Sequence, residues 1–163
     1  MARALAAHPE DNVLASGSND TTVLLWRFST AELLRKLTGH TMPVHTLAFS
    51  RDWLLSGSDD RTVRVWAWKT GLCARVLDDF VRAPRFTSIV WQGSRMITLD
   101  ADSLRGPATM RLWNTSSADP RTWSCVVSLE KVSSPLLDVV VLDDGRVVCV
   151  APGSETTIAV WHV

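Results

Sequence analysis

The sequence predicts an all-β repeat fold. Three observations carry that prediction: a segment that recurs after 40 residues, short runs of alternating apolar and β-branched residues, and no long helical periodicity. Leu14-Ala-Ser-Gly-Ser-Asn-Asp-Thr-Thr-Val-Leu-Leu-Trp26 and Leu54-Leu-Ser-Gly-Ser-Asp-Asp-Arg-Thr-Val-Arg-Val-Trp66 align end to end. Two more tryptophans close similar apolar runs, Met110-Arg111-Leu112-Trp113 and Ile158-Ala159-Val160-Trp161, at spacings of 47 and 48. The later repeats therefore carry insertions. The period suits the four-stranded blade of a β-propeller and is too long for ankyrin or tetratricopeptide repeats.

The elements follow in order. The chain opens at the edge of the first strand of blade one, whose turn and tryptophan run from Leu14 to Trp26. In blade two, strand a is expected at 44–49, b at 53–56, c at 62–67 and d at 72–77, because alternation is bounded there by Ser-Arg-Asp and Gly-Ser-Asp-Asp turns. Blade three has a at 85–91, b at 95–99, c at 109–113 and d at 123–129; blade four has a at 136–142, b at 146–151 and c at 157–162. The approximate blades are 1–40, 41–80, 81–130 and 131–163.

Composition narrows the function classes. With 46% apolar residues among 163, the chain can build a core, and 17 Lys plus Arg balance 17 Asp plus Glu. Neutral net charge speaks against nucleic acid as the main partner. No apolar run reaches the roughly 20 residues of a membrane span, and the start holds no secretory signal. Cys73, Cys125 and Cys149 are odd in number and form no C-x-x-C pair, so they read as small buried strand residues of a cytoplasmic or nuclear protein.

These residues resemble the WD-repeat family, strongly in blades one and two and loosely in three and four. The resemblance implies a β-propeller of four blades, mostly of four antiparallel strands. It also implies a hydrogen-bonded brace of His, Ser/Thr, Asp and Trp in each blade. Blade two matches fully with His40, Ser56, Asp60 and Trp66, and blade one supplies Ser16, Asp20 and Trp26 without a histidine. Blade three keeps Thr98, Asp102 and Trp113 around an insert at 104–108. Blade four keeps Trp161, with Ala151 and Glu155 where Ser and Asp are expected.

Four blades are fewer than the family's usual seven, so an incomplete ring is expected. The chain then reads as the C-terminal part of a longer propeller protein, of F-box/WD-repeat-like type, or as a truncated isoform. Two copies forming an eight-bladed ring would instead cover the open edges.

By the same resemblance, partners are met by residues entering strand a and by the residue before the b–c aspartate. These are Pro43, His45 and Asp59 in blade two, Arg85 and Thr87 in blade three, Leu137 in blade four, and Arg3 and Asn19 in blade one. Blade three is locally basic through Arg82, Arg85, Arg95, Arg105, Arg111 and Arg121. Arginine forks there, Arg85 and Arg105 foremost, suit an acidic or phosphorylated peptide, whereas arginines paired with their neighbours are the plainer reading. Trp53 and Trp68 are candidate exposed anchors, and Trp91 is expected in the core.

The function expected is a non-catalytic platform for other proteins or peptides. The alternative is a substrate-receptor subunit of a ubiquitin ligase, since Trp66-Ala67-Trp68-Lys69 is similar to a W-D-x-R docking box. No G-x-S-x-G, phosphate loop or dinucleotide motif is present, and His8, His40, His45 and His162 are not spaced for metal. No cofactor is expected.

Overall fold

The computed structural model describes residues 1–78, 80, 85–101, 108–132, 138–141, 146–151 and 157–162, with side chains for 1–78, 80, 88–100 and 109–128. Asp102, Arg82, Arg105 and Leu137 lie outside the described residues, as do the side chains of Arg85, Thr87 and Trp161.

Fifteen strands are described, and every sheet is an antiparallel meander. Blade one contains β1 (Ala2–His8), β2 (Val13–Ser18), β3 (Val23–Arg27) and β4 (Leu33–Leu37) in spatial order. Blade two contains β5 (Val44–Phe49), β6 (Leu54–Ser58), β7 (Val63–Ala67) and β8 (Leu72–Leu77). Blade three contains β9 (Arg85–Gln92), β10 (Arg95–Ala101), β11 (Ala108–Asn114) and β12 (Ser124–Val132). Blade four has three described strands, β13 (Asp138–Val141), β14 (Arg146–Ala151) and β15 (Thr157–His162). No helix among the described residues is long and apolar enough to cross a membrane.

The chain divides into two compact units, 1–81 and 82–163. In the first unit the core is the seam between its two blades. Val13, Ala15, Val23, Leu25 and Leu37 of blade one cluster with Val44, Leu47, Leu54, Trp66 and Trp68 of blade two. Side chains alternate across a strand, so each blade has two faces, and one face of blade one lies on one face of blade two. The seam is tight. A Cβ on Gly17 would stand 2.8 Å from Val44 Cγ1, which explains a glycine inside an otherwise β-favouring strand. Each fully buried Val or Leu contributes about 1.5–3 kcal/mol, so this seam is a large stabilising contribution to the unit. In the second unit, Ile89, Met96, Ile97, Leu99, Met110, Leu112, Trp113 and Trp123 are buried.

Three side-chain expectations are corrected. Cys73 and Cys125 are exposed, because they sit on outer strands β8 and β12. Trp68 is buried at 7%, folded back onto the seam against His8 and Phe49. Trp91 is only partly buried and donates to the Gly93 carbonyl at 3.0 Å, while Trp123, edge-on to it at 5.0 Å, takes the buried place.

Register corrects a fourth. Ser16 pairs with Leu24, Ser56 with Arg64 and Thr98 with Arg111, in each case two residues before the blade's tryptophan. In blade four the residue in that place is Cys149, paired with Ala159, and not Ala151, which pairs with Thr157. The b–c turn there is two residues longer than in blades one and two.

Candidate functional site

The site is built on the blade end where strand a begins and the b–c turn closes. In blade two that turn starts at Ser58, whose hydroxyl receives the Asp60 amide at 3.2 Å and donates to the Met42 carbonyl at 2.9 Å. Arg61 then takes a left-handed conformation (φ 66), as Thr21 does in blade one (φ 74). This turns the chain so that Asp60 Oδ1 accepts the Thr62 amide at 3.0 Å and its hydroxyl at 2.6 Å, an aspartate-turn device.

Beneath the turn runs the brace. Trp66 Nε1 donates to Ser56 Oγ at 2.8 Å, Ser56 Oγ lies 2.7 Å from His40 Nε2, and His40 Nδ1 lies 2.7 Å from Asp60 Oδ2. The proton order Trp66 to Ser56 to His40 to Asp60, with the imidazole proton on Nδ1, gives every link one donor and one acceptor. Trp66 is 2% exposed and Ser56 0%, so unpaired groups here would be costly. Burial pushes the Asp60 carboxyl up, but donation from His40, from the Thr62 hydroxyl and from the Thr41 amide outweighs it. The carboxyl is held well below the ordinary carboxylate range.

Blade one repeats the parts without the histidine. Trp26 Nε1 donates to Ser16 Oγ at 2.9 Å, and Asp20 Oδ1 accepts the Thr22 hydroxyl at 2.6 Å and the Thr22 amide at 3.0 Å. Those two bonds, the hydroxyl's first, lower the Asp20 carboxyl as well, although it is fully exposed. In blade three Trp113 donates to Thr98 Oγ1 at 3.0 Å, both buried.

Above the braces sit the residues singled out as partner contacts, and the structure pairs them with one another. His45 Nε2 lies 2.7 Å from Asp59 Oδ2, and Pro43 accepts the Asp59 amide at 3.0 Å. At the equivalent places in blade one, Arg3 Nε donates to Asn19 Oδ1, and the Met1 carbonyl accepts the Asn19 amide at 3.1 Å. Blades one and two thus each present one side chain from the mouth of strand a clasped to one from the b–c turn. Asp59 keeps one buried oxygen, Oδ1, without a hydrogen-bond partner.

In blade three Arg111 is ion-paired with buried Asp100, so this arginine braces the sheet and does not await a ligand. Among the described residues no group of three or more His, Cys, Asp or Glu side chains is placed to hold a metal ion.

Two features escaped sequence reasoning. The Arg64 guanidinium lies over the Trp66 ring at 5.9 Å, in space that a Cβ on Gly39 (φ 149) would fill at 2.7 Å. Gly39 next to His40 is the signal for it, once the approach is known. At the other blade end, His8, Phe49 and Trp68 form an aromatic cluster with centroids 5.4–6.0 Å apart. A cleft of about 530 Å³ opens beside it, lined by His8, Glu10, Phe49 and Arg51 among others. His8 Nδ1 stands 3.2 Å from Asp11 Oδ2, near enough for an ion pair but outside hydrogen-bond geometry.

The profile of the WD domain, G-beta repeat, matches residues 2–27 and 31–67, the two blades in which the braces are described most fully. The chain belongs to the WD-repeat family. It is similar to the nuclear distribution protein nudF of Aspergillus niger, at 32% identity over 167 residues, covering 98% of this chain and 35% of that protein. The chain spans between 7% and 35% of the lengths of four curated relatives that it matches. Among solved structures it is similar to the computationally designed Ika4 protein, with a TM-score of 0.78, 25% identity, and coverage of 100% of this chain and 91% of that one. The designed Ika8 protein matches with a TM-score of 0.76 and 24% identity, over 99% of this chain and 46% of that one.

Proposed function

We propose that this chain is a non-catalytic platform that captures other proteins or peptides at the blade end carrying Arg3, Asn19, His45 and Asp59. The observation that carries this reading is the repetition of a clasped pair, Arg3–Asn19 and His45–Asp59, at equivalent places in consecutive blades. Residues that only close a turn need no such conserved geometry with changed chemistry. One clasp is cationic and amide, the other imidazole and carboxylate, so neighbouring blades offer different groups on the same frame. That is how a repeat scaffold varies its specificity without altering its fold. The WD-repeat membership supports a protein-binding role of this kind. An exposed free thiol at Cys73 suits a reducing compartment, which supports a cytoplasmic or nuclear place of action.

The test is proximity labelling or pull-down from cells expressing the intact protein, against a variant carrying Arg3→Glu and Asp59→Arg. Loss of the specific partners from the variant, with an unchanged thermal midpoint, is the expected result. Identical partner sets from the two proteins would refute the assignment of this end.

A further inference from the structure

Blade one has a covered face and an open one. On the open face the register aligns Leu5 with Ser16 and Leu24, and Ala7 with Leu14, Trp26 and Leu33. The equivalent face of blade two aligns Leu47 with Ser56 and Arg64, and Phe49 with Leu54, Trp66 and Cys73. Blade one's other face covers the blade-two set, leaving Leu47 9%, Leu54 0% and Trp66 2% exposed. In the single chain Leu5 is 66% exposed and Leu33 50%. A contiguous apolar face of this kind marks an interface, and the repeat itself shows what shape covers it: the opposite face of another blade.

Blade four offers that face. Its register sets Val140 beside Val148 and Val160, and Asp138 beside Val150 and Ile158, on the side opposite the row of Trp161. Matched strand by strand, Val140, Val148, Val150, Ile158 and Val160 hold the places of Ala6, Ala15, Gly17, Val23 and Leu25, residues of the covering face of blade one. One pair of sizes is exchanged. At the existing seam Gly17 admits the bulky Val44. At the open face the place of Val44 is held by Ala2, and the place of Gly17 in blade four is held by Val150. Small meets large in both, with the roles reversed.

We infer that the open face of blade one seats blade four of a second copy of this chain, each copy giving one face and receiving the other. The two designed structures agree with this arithmetic at the level of fold. The same fold accounts for 91% of a chain of about this length and for 46% of a longer one, which leaves room there for a second portion of the same size. Two identical head-to-tail contacts related by a twofold axis close a dimer.

Light scattering after size-exclusion chromatography of the 163-residue chain tests this. The expected mass is about 36 kDa, twice the 18.0 kDa of one chain. Leu5→Glu and Val148→Glu are each expected to reduce it to a monomer with an unchanged far-ultraviolet spectrum. Mixing the two variants is expected to restore a dimer, because one contact in the mixed pair has two wild-type faces. A wild-type monomer at tens of micromolar, the ordinary concentration for detecting such contacts, overturns the inference. So does a dimer that Leu5→Glu breaks and Val148→Glu leaves intact, since blade one would then be meeting something other than blade four.

Discussion

Blades one and two carry aligned thirteen-residue turn-and-strand segments, the same register and a left-handed residue at the same turn position, yet they are braced to different depths. In blade two the histidine ties the aspartate of the surface turn to the buried serine and tryptophan, and the b strand is wholly buried. In blade one the aspartate serves its own turn and the tryptophan serves its own serine, with no link between them in the described bonds. The histidine contributes the coupling. The turn and the indole bond each form without it; their coupling does not.

The two aspartates are expected to separate the blades most strongly. Asp60→Ala leaves the buried His40 Nδ1–H with only the Thr62 hydroxyl, 3.3 Å away, as an acceptor, and a loss of about 2–4 kcal/mol in urea unfolding is expected. Asp20→Ala, at an exposed turn, is expected to cost distinctly less. Acid should separate the two carboxylates as well. The unfolded Asp60 carboxyl titrates near its ordinary value of 3.8, whereas the folded one stays ionised well below that. Between those values the unfolded chain binds a proton that the folded chain does not, so stability falls as pH drops below about 4, and is intact above it. The slope of unfolding free energy against pH from 5 to 2 is expected to flatten in Asp60→Asn. An unchanged slope would detach Asp60 from the brace.

Next in size are the leucines at equivalent places in the two inner strands. Leu47→Ala opens a cavity in the seam and is expected to cost about 2–4 kcal/mol, whereas Leu5→Ala, exposed in the single chain, stays within about 0.5 kcal/mol under monomeric conditions. Nothing local in the sequence distinguishes these leucines. The repeat spacing made the strand bounds of blades two and three legible, and the WD-repeat resemblance pointed to the brace residues of blades one and two. Burial depends on which face a neighbouring blade covers, and Cys73, Cys125, Trp68 and Trp91 were misplaced for that reason. Counting back from Trp161 assumed a b–c turn of constant length. Two extra residues in that turn moved the hydroxyl's place to Cys149.

A smaller contrast lies in the indoles. Trp66→Phe keeps most of the packing and deletes the donor to Ser56, whose hydroxyl is fully buried; about 1–2 kcal/mol is expected. Trp26→Phe deletes the same bond at a partly exposed serine that water can reach, and less than about 1 kcal/mol is expected.

The smallest effect on stability is expected where the proposed function is concentrated. Arg3→Ala and His45→Ala each remove one half of a clasp at the blade end, above braces that do not include them. Asn19 then faces solvent at no cost, so Arg3→Ala should lie within about 0.5 kcal/mol of the parent. His45→Ala uncovers Asp59, whose Oδ1 is already buried without a hydrogen-bond partner, and hydration of that carboxylate offsets the lost bond. A cost above about 1 kcal/mol for His45→Ala would mean that the clasp is part of the brace, because the largest penalties follow buried polar networks and not exposed ones. A neutral result, together with lost partner capture, separates the blade end that binds from the tetrad that holds it in place.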